Sequence, residues 1–208
     1  MKSEAVIIGY SGHSYVVLDM LVSSNFKIQG YCEVSQKLLN PYNLEYLGSE
    51  RNPNVIDLIR KFAIFLGIGD NHIRSKIFKD LQGMGLNMPK LIHDNAYVSE
   101  MTKIGVGTVI MPGSVINSCS IIGKCVVCNS ASVIEHECQI DDFVHIAPGA
   151  VLAANVRVGK RSFIGANAVV IQGINIGSDV VVGAGAVVVN DIPNGAIVYG
   201  NPARLKSK

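Results

Sequence analysis

Ile104-Gly105-Val106-Gly107-Thr108-Val109-Ile110-Met111-Pro112-Gly113-Ser114-Val115-Ile116 places an aliphatic residue at every sixth position and a small or β-branched one four places after each. The register runs without insertion from Ile92 to Pro193, and Cys128 is the one non-aliphatic member of its ladder. The companion positions include Ala96, Thr102, Ser120, Ser132, Cys138, Ser162, Ala168 and Ala186. A period of six fits neither a helix nor a hairpin meander. It fits short parallel strands joined by tight turns, three strands to each coil of a β-helix. One coil then takes eighteen residues, and the run makes nearly six coils, about 27 Å tall at the usual strand spacing. A sandwich or barrel would show irregular spacing and hairpin turns instead.

Side chains alternate across a strand, so the residue before each ladder position points outward. Sorting the outward residues by coil gives three columns. Val115, Val133, Val151, Val169 and Val187 form the first; Lys103, Ile121, Gln139, Arg157 and Asn175 the second; Val109, Val127, His145, Phe163 and Val181 the third. Two faces are apolar and one is polar. Apolar ladders of this length need cover, and a closed ring in which the first face of one copy meets the third face of the next supplies it, so the sequence predicts a homotrimer.

Residues 1–90 alternate strand-like and helix-like segments. Ala5-Val6-Ile7-Ile8-Gly9 reads as a buried strand, Tyr10 to His13 as a turn and Ser14 to Leu21 as a helix. Lys27 to Cys32 is a second strand, Asn54 to Lys61 a helix, Phe62 to Leu66 a third strand and Asn71 to Gln82 a last helix. This order predicts a small parallel α/β domain with its ligand at the carboxyl ends of the strands, around Gly9 to His13, Glu33 and Gly67 to Asn71. Gly9-Tyr10-Ser11-Gly12 is short of a full GxGxxG; it is either a phosphate-binding turn at a helix N-terminus or an ordinary strand-to-helix turn. The predicted organisation is an α/β domain over 1–90, a β-helix over 91–193 and an extension over 194–208.

The whole chain has 208 residues, 49% hydrophobic, 16% charged, with a net charge of +2. That balance gives no reason to expect nucleic acid or a membrane surface as partner. No apolar run reaches membrane-spanning length and the first residues enter a strand, so a cytoplasmic protein is expected. Five cysteines suit a reducing compartment. Cys125 and Cys128 form a lone CxxC, too little for a zinc site, and no metal is expected. His72 reads as a solvated helix residue, and His93, at the junction of the two domains, as structural. His136 follows a ladder position and is followed at once by Glu137, while His145 is the polar member of an apolar column. Two histidines within half a coil, beside a carboxylate, point to a site.

The hexapeptide run, the GYSGH turn, Ser132-Val133-Ile134-Glu135-His136-Glu137-Cys138 and Val198-Tyr199-Gly200-Asn201-Pro202-Ala203-Arg204 together resemble the left-handed β-helix acyltransferases of the sialic-acid O-acetyltransferase-like branch. Within it they look like the bacterial N-acetyltransferases of nucleotide-linked 4-amino-deoxysugars, over nearly the whole chain. The resemblance implies acetyl-CoA as co-substrate, His136 as general base and Glu137 as the carboxylate that orients it. It implies further that His145 contacts the thioester region and that Ala154, Ala166 and Ala184 line the pantetheine track. Ser11, Gly12, His13, Glu33 and Gly69 would hold the nucleotide sugar. Relatives that read uracil often carry an Asp-Asp pair after the second strand, where this chain has Cys32-Glu33-Val34. Arg157, Lys160, Arg161, Arg204 and Lys206 are cations that would suit the phosphates of coenzyme A; equally, Lys160-Arg161 reads as a solvated corner and the terminal Lys-Ser-Lys as a frayed tail. Direct transfer is expected, with an acyl-enzyme on Cys138 as the rival. Sugar O-acetylation, and a metal-dependent or scaffolding β-helix trimer, are the other readings.

Overall fold

The computed structural model describes residues 3–206 and forms two compact units, the first ending at Leu91 and the second beginning at Ile92. The first contains β1 (Ser3–Ile8), α1 (Gly12–Ser23), β2 (Phe26–Cys32), β3 (Tyr46–Gly48), α2 (Pro53–Ile59), β4 (Ala63–Leu66) and α3 (Asn71–Gln82). Its sheet is parallel, in the order β3-β2-β1-β4. The chain leaves β1 on one side to lay down β2 and β3, then crosses back to add β4 on the other. The gap above β1 and β4 is therefore the switch point at which ligands of such sheets bind.

Ala5 to Ile8 are buried without alternation, as a strand covered on both faces requires. α1 begins two residues earlier than the expected Ser14. The Ser11 N–H donates to Ser14 Oγ at 2.8 Å and that hydroxyl donates to Ser11 O at 2.6 Å, which closes the first turn around Gly12. β3 has no counterpart in the sequence reading. It is docked by Tyr31 N–H to Glu45 O and Glu33 N–H to Gly48 O, and by a tyrosine cluster in which Tyr10 stacks on Tyr31 with centroids 4.2 Å apart. Tyr10 Oη also donates to Asn40 Oδ1 at 2.6 Å, fixing the loop that leads into the strand.

The second unit is a parallel β-helix. Seventeen two-residue strands run from β5 (Leu91–Ile92) to β21 (Val187–Val188), one per hexapeptide. They stack into three sheets with partners eighteen residues apart, such as Val127 with His145, Val133 with Val151 and Gln139 with Arg157. The aliphatic ladder fills the interior. The small residues have a second task there. Thr108, Ser114, Ser120 and Ser162 are fully buried, and each hydroxyl donates to a carbonyl fifteen residues on: Gly123, Asn129, Glu135 and Gly177, at 2.6 to 2.9 Å. Each corner polar group is thus satisfied by the next coil. After the repeat, β22 (Ile197–Tyr199) extends one sheet in parallel and β23 (Arg204–Leu205) closes it as an antiparallel edge.

The second outward column is exposed, as its polar composition requires. The first is half-exposed. The third departs from expectation: Val109, Val127 and His145 are already buried within the chain at 3%, 2% and 7%, and the column opens only by Val181 at 39%.

Candidate active site

Two places in the molecule carry the expected chemistry, one in each unit. In the first, a cleft of about 490 Å³ opens at the carboxyl ends of β1, β2 and β4. Ser11, Glu33 and Gly69 line it, with Gly9, Gly67 and Asp70. Glycine is required at two of these positions by close backbone approach. A Cβ on Gly9, which has φ +88°, would lie 2.7 Å from Ile68 Cγ1; one on Gly67 would fall on Ser14 Cβ and 2.9 Å from Gly9 O. The turn after β1 and the turn after β4 are therefore pressed together beneath the N-terminus of α1, where backbone N–H groups suit an anion.

Arg74, 1% exposed, fixes the far turn. Its guanidinium donates to Ile68 O and Gly69 O, both at 2.9 Å, and to Asn71 Oδ1 at 2.7 Å. Gly12 opens α1 and is exposed. His13, expected among the residues that hold the nucleotide sugar, is placed differently. It is half-buried, stands outside the residues lining the cleft, and lies against Gly69. Burial pushes its pKa down to about 4, with the Arg74 guanidinium adding to the effect, so its imidazole is neutral near pH 7. Glu33 is held in place from its own surroundings: Oε2 accepts from Tyr10 N–H at 3.2 Å, Oε1 from Val34 N–H at 3.1 Å, and Lys37 Nζ lies 3.4 Å away. Glu50 and Arg51 also line the cleft, and the sequence reading missed both. The signal that finds them is β3: a third strand parallel to β1 and β2 must end at the same rim.

In the second unit, His136 and Glu137 form the corner between Val133–Ile134 and Gln139–Ile140. His136 Nδ1 and Glu137 Oε2 are 3.0 Å apart, and both side chains are more than half exposed. Glu137 has φ +63°. Cys119 and Asn155, one coil below and above, share the left-handed conformation, so it belongs to the corner and aims successive side chains outward together. A carboxylate on Nδ1 leaves Nε2 as the proton acceptor. Ala154 stands one coil above His136 in the same column, and its carbonyl accepts from Gly173 N–H.

His145 lies on a different sheet. Its Nε2 is 3.0 Å from Asn129 Nδ2 and its ring meets Phe163 edge to face at 5.1 Å. Ala166 and Ala184 share the corner column that follows this sheet. Pro112 and Pro148 stand in that column too, which shows that the amide N–H there takes no part in the coil ladder. One chain thus places His136 with Ala154 on one edge of the prism, and His145, Ala166 and Ala184 along another sheet and edge.

Cys138, the rival nucleophile, is fully buried, its Sγ 3.2 Å from Ala153 O, and burial pushes its pKa up to about 11. Arg161 is engaged by Asp179 in a two-pronged ion pair, with Nε to Oδ1 at 2.7 Å, while Arg157, Lys160, Arg204 and Lys206 are exposed. Among the described residues no three His, Cys, Asp or Glu side chains are grouped to hold a metal ion, and no helix is long and apolar enough to cross a membrane.

Comparison with known proteins agrees with this division. The PglD N-terminal domain family matches residues 4–81, and the hexapeptide repeat of succinyl-transferase matches residues 155–189. A GDP-perosamine N-acetyltransferase from Escherichia coli is 35% identical over 144 residues, 67% of this chain and 65% of that protein's length. A perosamine N-acetyltransferase from Caulobacter crescentus, solved as a histidine-to-asparagine variant in complex with CoA and GDP-perosamine, is 32% identical with TM-score 0.92, over 99% of this chain and 98% of the other. The acetyltransferase domain of PglB from Neisseria gonorrhoeae, solved with acetyl coenzyme A, is 33% identical with TM-score 0.91, over 99% of this chain and all of that one. The chain therefore belongs to the left-handed β-helix, hexapeptide-repeat acetyltransferases that carry a PglD-type N-terminal domain.

Proposed function

We propose that this protein transfers the acetyl group of acetyl-CoA to the 4-amino group of a nucleotide-linked amino-deoxysugar. The observation that carries the proposal is the exposed His136–Glu137 pair at 3.0 Å, on a corner whose next coil presents Ala154. The nucleotide is assigned to the cleft of the first unit, where Ser11, Gly12, Glu33 and Gly69 surround the α1 N-terminus. His13 packs behind Gly69 and acts by shaping that turn.

An alkyl ammonium has no lone pair, so the sugar reacts as the free amine, its first proton having passed to solvent; once the nitrogen attacks the thioester carbonyl it carries positive charge and must lose a second proton. His136 Nε2 takes that proton, and Glu137 holds the ring and stabilises the imidazolium. Collapse of the tetrahedral adduct breaks the C–S bond, and the proton on His136 returns to the departing thiolate. The enzyme ends unchanged, with an amide and CoA as products. Cys138 takes no part, because its thiol is sealed in the core. Positioning amine and thioester in one cleft supplies much of the rate.

The acetyl donor is assigned to the edge formed by His145, Ala166 and Ala184. His136 lies on a different edge of the same prism, so the reading needs a second copy to bring donor and base together, docked where the third face opens at Val181 against the half-exposed first face. The working form is a homotrimer, and the cytoplasm is the compartment its co-substrates imply. Following thiol release from acetyl-CoA with a panel of 4-amino and 4-hydroxy sugar nucleotides tests the reaction. Turnover of amino sugars alone supports N-acetylation; turnover of hydroxy sugars alone supports O-acetylation and overturns it.

A further inference from the structure

The cleft of the first unit holds three carboxylates, and they are not equivalent: Asp70 caps α3, its Oδ1 accepting from Ile73 N–H at 2.8 Å. Glu33 already accepts from two backbone N–H groups and faces Lys37, so its lone pairs are largely committed. Glu50 is 7% exposed, yet its nearest cation is Arg51 Nε at 3.8 Å, beyond hydrogen-bond length. The residue lines the cleft. A buried carboxylate left open on a cleft calls for donors that a ligand brings.

The surroundings narrow the ligand. Strand order maps the cleft: the α1 N-terminus stands over β1, Glu33 ends β2, and Glu50 follows β3. An anion over β1 places the next group of a nucleotide over β2 and the base over β3. Val34, with Ile73 and Ile77 of α3, gives the cleft an apolar lining suited to a flat ring, and Glu50 shares that lining.

We infer that Glu50 makes the cleft selective for guanine. Guanine alone among the common bases offers two adjacent donors, N1–H and the 2-amino group, to the two oxygens of one carboxylate. Uracil and thymine flank their single N3–H with carbonyl oxygens. Adenine and cytosine set a bare ring nitrogen beside the amino group. Each of these turns an acceptor toward an acceptor. The inference rests on reading the cleft as a nucleotide-sugar site.

The test is calorimetric titration of the full chain with GDP, IDP, UDP and dTDP. GDP should bind at least about tenfold tighter than UDP or dTDP, and about tenfold tighter than IDP, which keeps N1–H and lacks the 2-amino group. Glu50→Gln, which sets a donor against the guanine donors, should weaken GDP by about tenfold or more and change UDP less than twofold. An unchanged circular dichroism spectrum and urea midpoint show that the variant is folded, and the GDP against IDP comparison needs no variant. UDP or dTDP binding as tightly as GDP, or a folded Glu50→Gln that keeps the GDP preference, overturns the base assignment alone. Failure of all four to bind overturns the nucleotide-site reading along with it.

Discussion

Replacing Cys138 with alanine separates direct transfer from an acyl-enzyme. The thiol is fully buried, and its Sγ stands 3.2 Å from Ala153 O in the place where Ser114 and Ser120 donate from their own coils. Removing it deletes one weak hydrogen bond and a sulfur's packing, a cost of about 1 to 2 kcal/mol in stability. Its pKa of about 11 leaves about one molecule in 3000 as thiolate at pH 7.5. Direct transfer through His136 therefore predicts a kcat within about twofold of wild type, whereas loss of an essential nucleophile costs on the order of a thousandfold or more. Thiol release from saturating acetyl-CoA gives kcat, and a thermal melt shows the stability loss separately. A folded Cys138→Ala protein without turnover, or an acetylated Cys138 trapped from wild type, refutes the reasoning.

His13 has a folded-state pKa of about 4 against about 6.5 unfolded, so between those values the unfolded chain binds the extra proton. Stability should rise with pH through that window and fall on acidification, by at most about 3 kcal/mol, and His13→Gln should flatten the slope in urea midpoints measured between pH 4.5 and 7. Gly67→Ala puts a methyl on Ser14 Cβ and 2.9 Å from Gly9 O; about 1 to 3 kcal/mol of overpacking and a raised KM for the sugar nucleotide are expected, with the acetyl-CoA KM unchanged. Glu137→Gln weakens the hold on His136 Nδ1 and should lower kcat about tenfold at constant acetyl-CoA KM.

The β-helix was legible because its period is set by the fold itself: every strand ends on a ladder residue from Ile92 to Val188, and each corner repeats at eighteen residues. The same repeat located His136 and Glu137, since a corner in register with Cys119 and Asn155 must turn its side chains outward. The first unit was legible where apolar runs are long, at β1, β2 and β4. β3 was not, because it is three residues held by tyrosines and loop hydrogen bonds and not by an apolar pattern. With β3 unseen, Glu50 and Arg51 looked like ordinary loop charges. The position of His13 behind the cleft was not legible for a related reason. Its burial comes from Gly69 and Arg74, more than fifty residues away, and no local pattern records that.

The measurement that bears most directly on the account is the turnover of His136→Ala. With a 4-amino sugar nucleotide and acetyl-CoA, kcat should fall by about 10² to 10⁴ while the binding of CoA and of the nucleotide stays near wild type. A folded variant that turns over at the wild-type rate would contradict it.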